Sequence, residues 1–196
     1  QLIFMLGTEN VEQEKLIIKK QIKSIYIYNE NVVYEIKLNT KEEFISYFKI
    51  IFENEKIQKY SYQMNEAYVL LMQNGIILKG IKFDTEIAAY LLNPSNGKYK
   101  LEELANQYLS IDIQEYLEAV GAKQQQETQI TLFSQDEQNV DSEKYQNAIY
   151  MYTVAKLTEI MNKKLEEINS LELFENIEMP LIKVLAEMQY EGIYVD

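Results

Sequence analysis

Residues 24–38 read SIYIYNENVVYEIKL, two apolar or alternating runs, Ser24–Tyr28 and Val32–Leu38, on either side of a turn at Asn29–Asn31. This pattern predicts a β-hairpin. Upstream, the run Leu2–Leu6 predicts a further strand. Downstream, Thr40 and Glu43 form a capping box for a helix whose apolar face is Phe44, Tyr47, Phe48 and Ile51. A short strand near Ile57–Tyr60 then precedes a helix from Gln63 to Asn74 that ends at Gly75. Helices over Phe83–Leu92 and Leu101–Leu109 follow, the second with the stripe Leu101, Leu104, Ala105 and Tyr108. Strands followed by helices in this order predict an α/β fold with a mixed sheet.

From Ala122 to Glu143 the composition changes to Gln, Asp, Glu, Ser and Thr, which predicts a mobile loop over about residues 122–141. After it, Ser142–Ile168 reads as one long helix with Tyr145, Ala148, Ile149 and Tyr152 on one face. A last helix, Phe174–Tyr190, carries Pro180 and stops at Gly192. Its apolar stripe Leu181, Val184, Leu185 and Met188 is a surface that something else would cover.

Composition narrows the chemistry. A chain of 196 residues suits one domain with an appendage, and no apolar run approaches the ~18 residues of a membrane span, so a soluble, cytoplasmic protein without a membrane partner is expected. With no Cys and no His, thiolate and imidazole chemistry is excluded, and any metal would have to be held by carboxylates. The net charge is −12 and all 19 basic residues are Lys. Without Arg for bidentate phosphate contacts, this chain alone is expected to bind DNA weakly.

Two stretches carry a resemblance. Gly75–Gly97 (GIILKGIKFDTEIAAYLLNPSNG) and Leu173–Asp196 (LFENIEMPLIKVLAEMQYEGIYVD) resemble the 3′→5′ exonuclease region of the bacterial DNA polymerase I family and the start of its polymerase region. The resemblance implies an RNase H-like mixed sheet flanked by helices, the DEDD exonuclease fold, over residues 1–173. Residues 174–196 would be the connecting helix and the start of the polymerase region, so the chain reads as a piece of a longer protein.

Cleavage by that family uses two divalent cations about 3.5–4 Å apart, held by several carboxylates. The resemblance places these as an Asp-x-Glu pair on the first strand, an Asp on a helix before the Gly-Ile segment, and a Tyr-x-x-x-Asp on a later helix. Matched along Phe4–Glu9, Gly7 takes the Asp position and Glu9 keeps the Glu. Counting back from Gly75 puts Ala67, beside Glu66, at the helical Asp, and counting back from Phe174 puts Tyr145 and Ile149 at the last pair. Gly7, Glu9, Ala67, Tyr145 and Ile149 are then vestiges of a site, with no catalytic residue and no bound metal expected. Glu9 and Tyr145 read equally as hydrogen-bonding groups at the edge of the core. Asp84, just before a helix, is read as an N-cap in preference to a ligand.

The resemblance thus implies a catalytically inactive domain that supports DNA synthesis by the polymerase region of the same parent chain, in replication and repair. DNA and magnesium would belong to that parent, and this domain would need no cofactor. One alternative is an active metal-dependent nuclease using Glu9, Glu66 and Asp84. Another rests on Gln129-Ile130-Thr131-Leu132-Phe133, which resembles the Gln-x-x-Leu-Phe peptides that engage the sliding clamp, with Gln129, Leu132 and Phe133 as the contacts.

Overall fold

In the computed structural model, residues 1–11, 19–119 and 135–192 are described. Five strands, β1 (Leu2–Val11), β2 (Lys19–Asn29), β3 (Val32–Lys37), β4 (Lys59–Ser61) and β5 (Ile81–Asp84), form one sheet in the order β3-β2-β1-β4-β5. β1–β2 and β2–β3 pair antiparallel, and β1–β4 and β4–β5 pair in parallel. The sheet is therefore mixed, as expected. β2 and β3 are joined by Glu30 and Asn31, both with positive φ, which matches the twist of a two-residue hairpin.

The helices are α1 (Lys41–Phe52), α2 (Met64–Gln73), α3 (Thr85–Leu92), α4 (Leu101–Leu109), α5 (residues 113–119), α6 (Gln135–Glu167), α7 (Leu171–Leu173) and α8 (Met179–Glu191). Thr40 caps α1 by accepting from the Glu43 N–H at 3.1 Å. Glu43 reaches back one residue beyond the cap, its side chain accepting from the Asn39 N–H at 2.9 Å where a capping box would use the N–H of Thr40. Between α7 and α8, residues Phe174–Glu178 form a π turn. Pro180 has no N–H for the carbonyl four residues back, and the ladder widens just before it.

Four expectations change. β5 was read as the start of a helix over Phe83–Leu92, yet Phe83 and Asp84 pair with Tyr60 and Ser61 of β4. A parallel ladder, with Phe83 buried 4.9 Å from the Phe174 ring, overrides the local helical pattern. Residues 135–141, placed in the loop, are helical in α6. Polar Gln and Glu lack an apolar period but are good helix formers, and extending an existing helix is cheap.

On α6 the buried face is Met151, Val154, Ala155, Thr158, Met161 and Leu165, whereas Tyr145 and Tyr152, expected on the apolar face, are exposed. Tyr152 lies edge-on to Tyr28 at 6.1 Å. On α1 the buried residues are Phe44, Phe48 and Phe52, and Tyr47 is exposed. Both expected stripes keep helical i, i+3, i+4, i+7 spacing, and in both the face that packs is rotated away from the tyrosines.

Candidate functional site

The pairing of β4 creates the cleft. β4 pairs with β1 only at Leu2 and Ile3, so the later half of β1 has β2 on one side and an open edge on the other. There a hollow of about 320 Å³ forms between β1 (Met5, Leu6, Thr8), the start of α2 (Glu66, Ala67), the start of α4 (Glu102) and Tyr150 of α6.

Of the positions singled out from sequence, Glu66 and Ala67 line this cleft; Gly7, Glu9, Tyr145 and Ile149 do not. Gly7 sits on the strand opposite Ser24. A Cβ at Gly7 would lie 2.1 Å from Ser24 Oγ and 3.1 Å from the Tyr26 ring, so β2 already fills the space an aspartate would need. Glu9 is ion-paired with Lys23 and lines a second hollow with Ser24, Tyr26, Glu35 and Lys37. Ala67 is buried, and its neighbour Glu66 is half-exposed and bonded to Lys20 at 3.1 Å. Ile149 is half-buried and Tyr145 exposed.

Tyr150, not singled out from the sequence, is the tyrosine of α6 that lines the cleft. Its hydroxyl donates to Glu102 and accepts from Gln146 Nε2 at 2.9 Å. This ties α6 to α4 across one end of the cleft, as Lys20–Glu66 ties β2 to α2 at the other. The i, i+4 spacing of Gln146 and Tyr150 was a usable signal, but the partner Glu102 is 48 residues distant in the chain.

Asp84 is an N-cap. It is buried, with Oδ1 accepting from the Ile87 N–H at 3.0 Å and Oδ2 from the Met64 N–H, so one carboxylate closes the starts of both α2 and α3. Burial pushes its pKa up, against the pull of the backbone N–H groups of Ile87, Met64 and Glu86. Glu86 is raised by burial and then by the charge of Asp84. Tyr62, between these acids, is held firmly protonated by burial and by Glu86 and Glu102.

The acids that line the cleft are thus engaged, Glu66 by Lys20 and Glu102 by Tyr150. Among the described residues no group of three acidic side chains converges on a point where a metal ion could sit. The described donors do not fit a two-cation phosphodiesterase centre. The clamp-like segment Gln129–Phe133 lies outside the described residues.

Residues 13–135 match the family described as DNA polymerase I, ribonuclease H-like domain. The DNA polymerase I of Bacillus subtilis is 32% identical over 180 residues, covering 91% of this chain and 19% of that protein. The DNA polymerase I of Borreliella burgdorferi is 35% identical over 157 residues, covering 80% of this chain and 16% of that protein. The chain spans about a fifth or less of these curated relatives. A solved structure of the POL domain of Pol1 from M. smegmatis, complexed with DNA primer-template and dNTP, superposes with a TM-score of 0.69 at 22% identity, covering 90% of this chain and 27% of that one. Brucella melitensis NrnC bound to pGG gives 0.66 at 13% identity, covering 97% and 85%. At these identities the likeness is of fold, and the fold is the expected RNase H-like mixed sheet flanked by helices.

Proposed function

This chain belongs to the family of DNA polymerase I ribonuclease H-like domains, and we propose that it is a catalytically silent 3′→5′ exonuclease-like domain that supports the polymerase region of a longer DNA polymerase I. The reading is carried by the space beside Gly7, which Ser24 and Tyr26 occupy outside the cleft, while the acids of the cleft itself, Glu66 and Glu102, are bonded to Lys20 and Tyr150. Catalytic groups that act as a unit lose most of their effect when one is missing. Here the nuclease alternative of Glu9, Glu66 and Asp84 would need three acids that stand in a second hollow, in the cleft and under two helix starts.

The supporting role rests on α8. Leu181, Val184, Leu185 and Met188 are all exposed along one stripe, while Ile182 and Ala186 on the opposite face are buried. A large uncovered apolar stripe on a helix fits burial against a further domain. In this reading DNA and magnesium are held by the polymerase region, in cytoplasmic replication and repair. No described helix is long and apolar enough to cross a membrane.

The test is degradation of an end-labelled single strand by the purified chain, with magnesium and then manganese, at low salt. The expected result is no shortening. Shortening from the 3′ end that a Glu9→Ala change abolishes would overturn the reading. A second role, binding a sliding clamp through Gln129, Leu132 and Phe133, is favoured by the Gln-x-x-Leu-Phe spacing in a strongly polar stretch. It predicts capture by immobilised clamp that Phe133→Ala removes.

A further inference from the structure

Among the described residues β3 is the outer strand of the sheet, bonded to β2 alone. Its sequence, Val32-Val33-Tyr34-Glu35-Ile36-Lys37, has no Pro, and its pairing with β2 has no bulge. Val32, Tyr34 and Ile36 share one face and are 48%, 50% and 38% exposed. Its charged residues, Glu35 and Lys37, which would ordinarily deter edge pairing, are opposite in sign and so do not by themselves repel a like strand.

The hairpin fixes which backbone groups are free. With a two-residue loop, the closing pair Asn29–Val32 is a hydrogen-bonded pair, and the alternation then bonds Tyr34 and Ile36 to β2. The N–H and C=O groups of Val33, Glu35 and Lys37 therefore point outward, away from the sheet.

We propose that this edge pairs with β3 of a second copy of the chain, antiparallel about Ile36. Charge selects that register. Centred on Ile36, Glu35 of each copy lies opposite Lys37 of the other, Ile36 opposite Ile36, and Tyr34 opposite Leu38. Centred on Glu35, two carboxylates would face each other, and centred on Tyr34, Glu35 would face Val33. Opposite charges across a pair stabilise a ladder and like charges weaken it, so the first register is favoured. The outward backbone groups of Glu35 and Lys37 then bond to each other directly. The result is one continuous ten-stranded sheet, five strands from each copy.

Sedimentation of the whole chain, from about 5 to about 500 µM, tests the proposal. The wild type is expected to show a monomer–dimer equilibrium. Glu35→Lys and Lys37→Glu should each weaken it by about tenfold, because each sets like charges opposite at both ends of the pairing. An equimolar mixture of the two variants should restore it, since both positions then carry ammonium groups in one variant and carboxylates in the other, and each charge faces its opposite. Circular dichroism confirms that each variant is folded. Because Glu35 also accepts from the Tyr26 hydroxyl, Ile36→Lys serves as a second variant, placing two ammonium groups at the dyad. A chain that stays monomeric throughout, or dimers that ignore these substitutions, would overturn the proposal and in the second case point to α8 instead.

Discussion

Ser24 Oγ lies 2.1 Å from the point at which a side chain on Gly7 would begin. The two residues are partners across β1 and β2, so the strand pairing that builds the sheet also fills the space beside Gly7, the position proposed to have lost its aspartate. Rebuilding the site by Gly7→Asp therefore requires Ser24 to rotate away and the Tyr26 ring, 3.1 Å from the same point, to give. Overpacking of this kind costs about 1–3 kcal/mol. The expected outcome is a lowered urea midpoint without gain of nuclease activity. Adding Ser24→Gly should recover part of the loss, and a Gly7→Asp protein as stable as wild type would show that the space is not filled.

Asp84 supports two helices at once, and its variants should separate capping from metal binding. Asp84→Ala strands the N–H groups of Met64 and Ile87, and the expected cost is about 2–4 kcal/mol for two charge-assisted bonds in a buried place. Asp84→Asn keeps one acceptor but turns an NH₂ toward the other helix start, so its loss should be smaller yet still measurable by denaturation. Neither effect should depend on magnesium. A loss seen only when magnesium is present would make Asp84 a ligand.

These two cases mark how far the sequence could be read. Strand and helix order followed from alternation and capping, and the Asp84 cap from its place before a helix. β5 was hidden because four residues carry too little periodicity, and its pairing with β4 depends on Phe83 meeting Phe174 from the far end of the chain. The cleft was legible as to position, through Glu66 and Ala67, but not as to which side chains enter it. That depends on strand pleat and helix rotation, where one residue changes the face: Tyr150 enters and Ile149 does not. Ties such as Lys20–Glu66 and Tyr150–Glu102 join residues 46 and 48 apart, a distance no local pattern encodes.

The two faces of α8 should respond oppositely to substitution. Val184 and Met188 are 50% and 64% exposed, so Val184→Lys with Met188→Lys should leave the stability of this chain within about 0.5 kcal/mol of wild type. Binding of a hydrophobic dye should fall. Ile182 is buried, and Ile182→Ala should cost about 2–5 kcal/mol. If the lysine pair destabilised the chain as strongly, the stripe would be packed on this domain and could not be the surface that meets another.

Lys59 gives a pH signature. It is fully buried in β4, its ammonium bonded to the Asn54 carbonyl, and burial lowers its pKa from 10.5 to about 8. The folded chain therefore releases this proton near pH 8 and the unfolded chain near 10.5. Between those values the unfolded state binds more protons, so this group makes stability rise with pH across the window. Below pH 8 the cost of a buried charge is present in full, at most about 3 kcal/mol for a shift of this size. Lys59→Met removes the charge and keeps most of the volume, so it should stabilise the chain at pH 7 by about 1–3 kcal/mol. The advantage should shrink as pH climbs from 8 toward 10.5, because wild-type Lys59 becomes neutral while keeping its bond to Asn54. Urea midpoints of the two proteins at about pH 7 and about pH 10 isolate the effect, since all other titrating groups are shared. An advantage that stays constant between the two pH values would mean that the fold leaves the Lys59 pKa at its ordinary value, as it would if water reached the ammonium group.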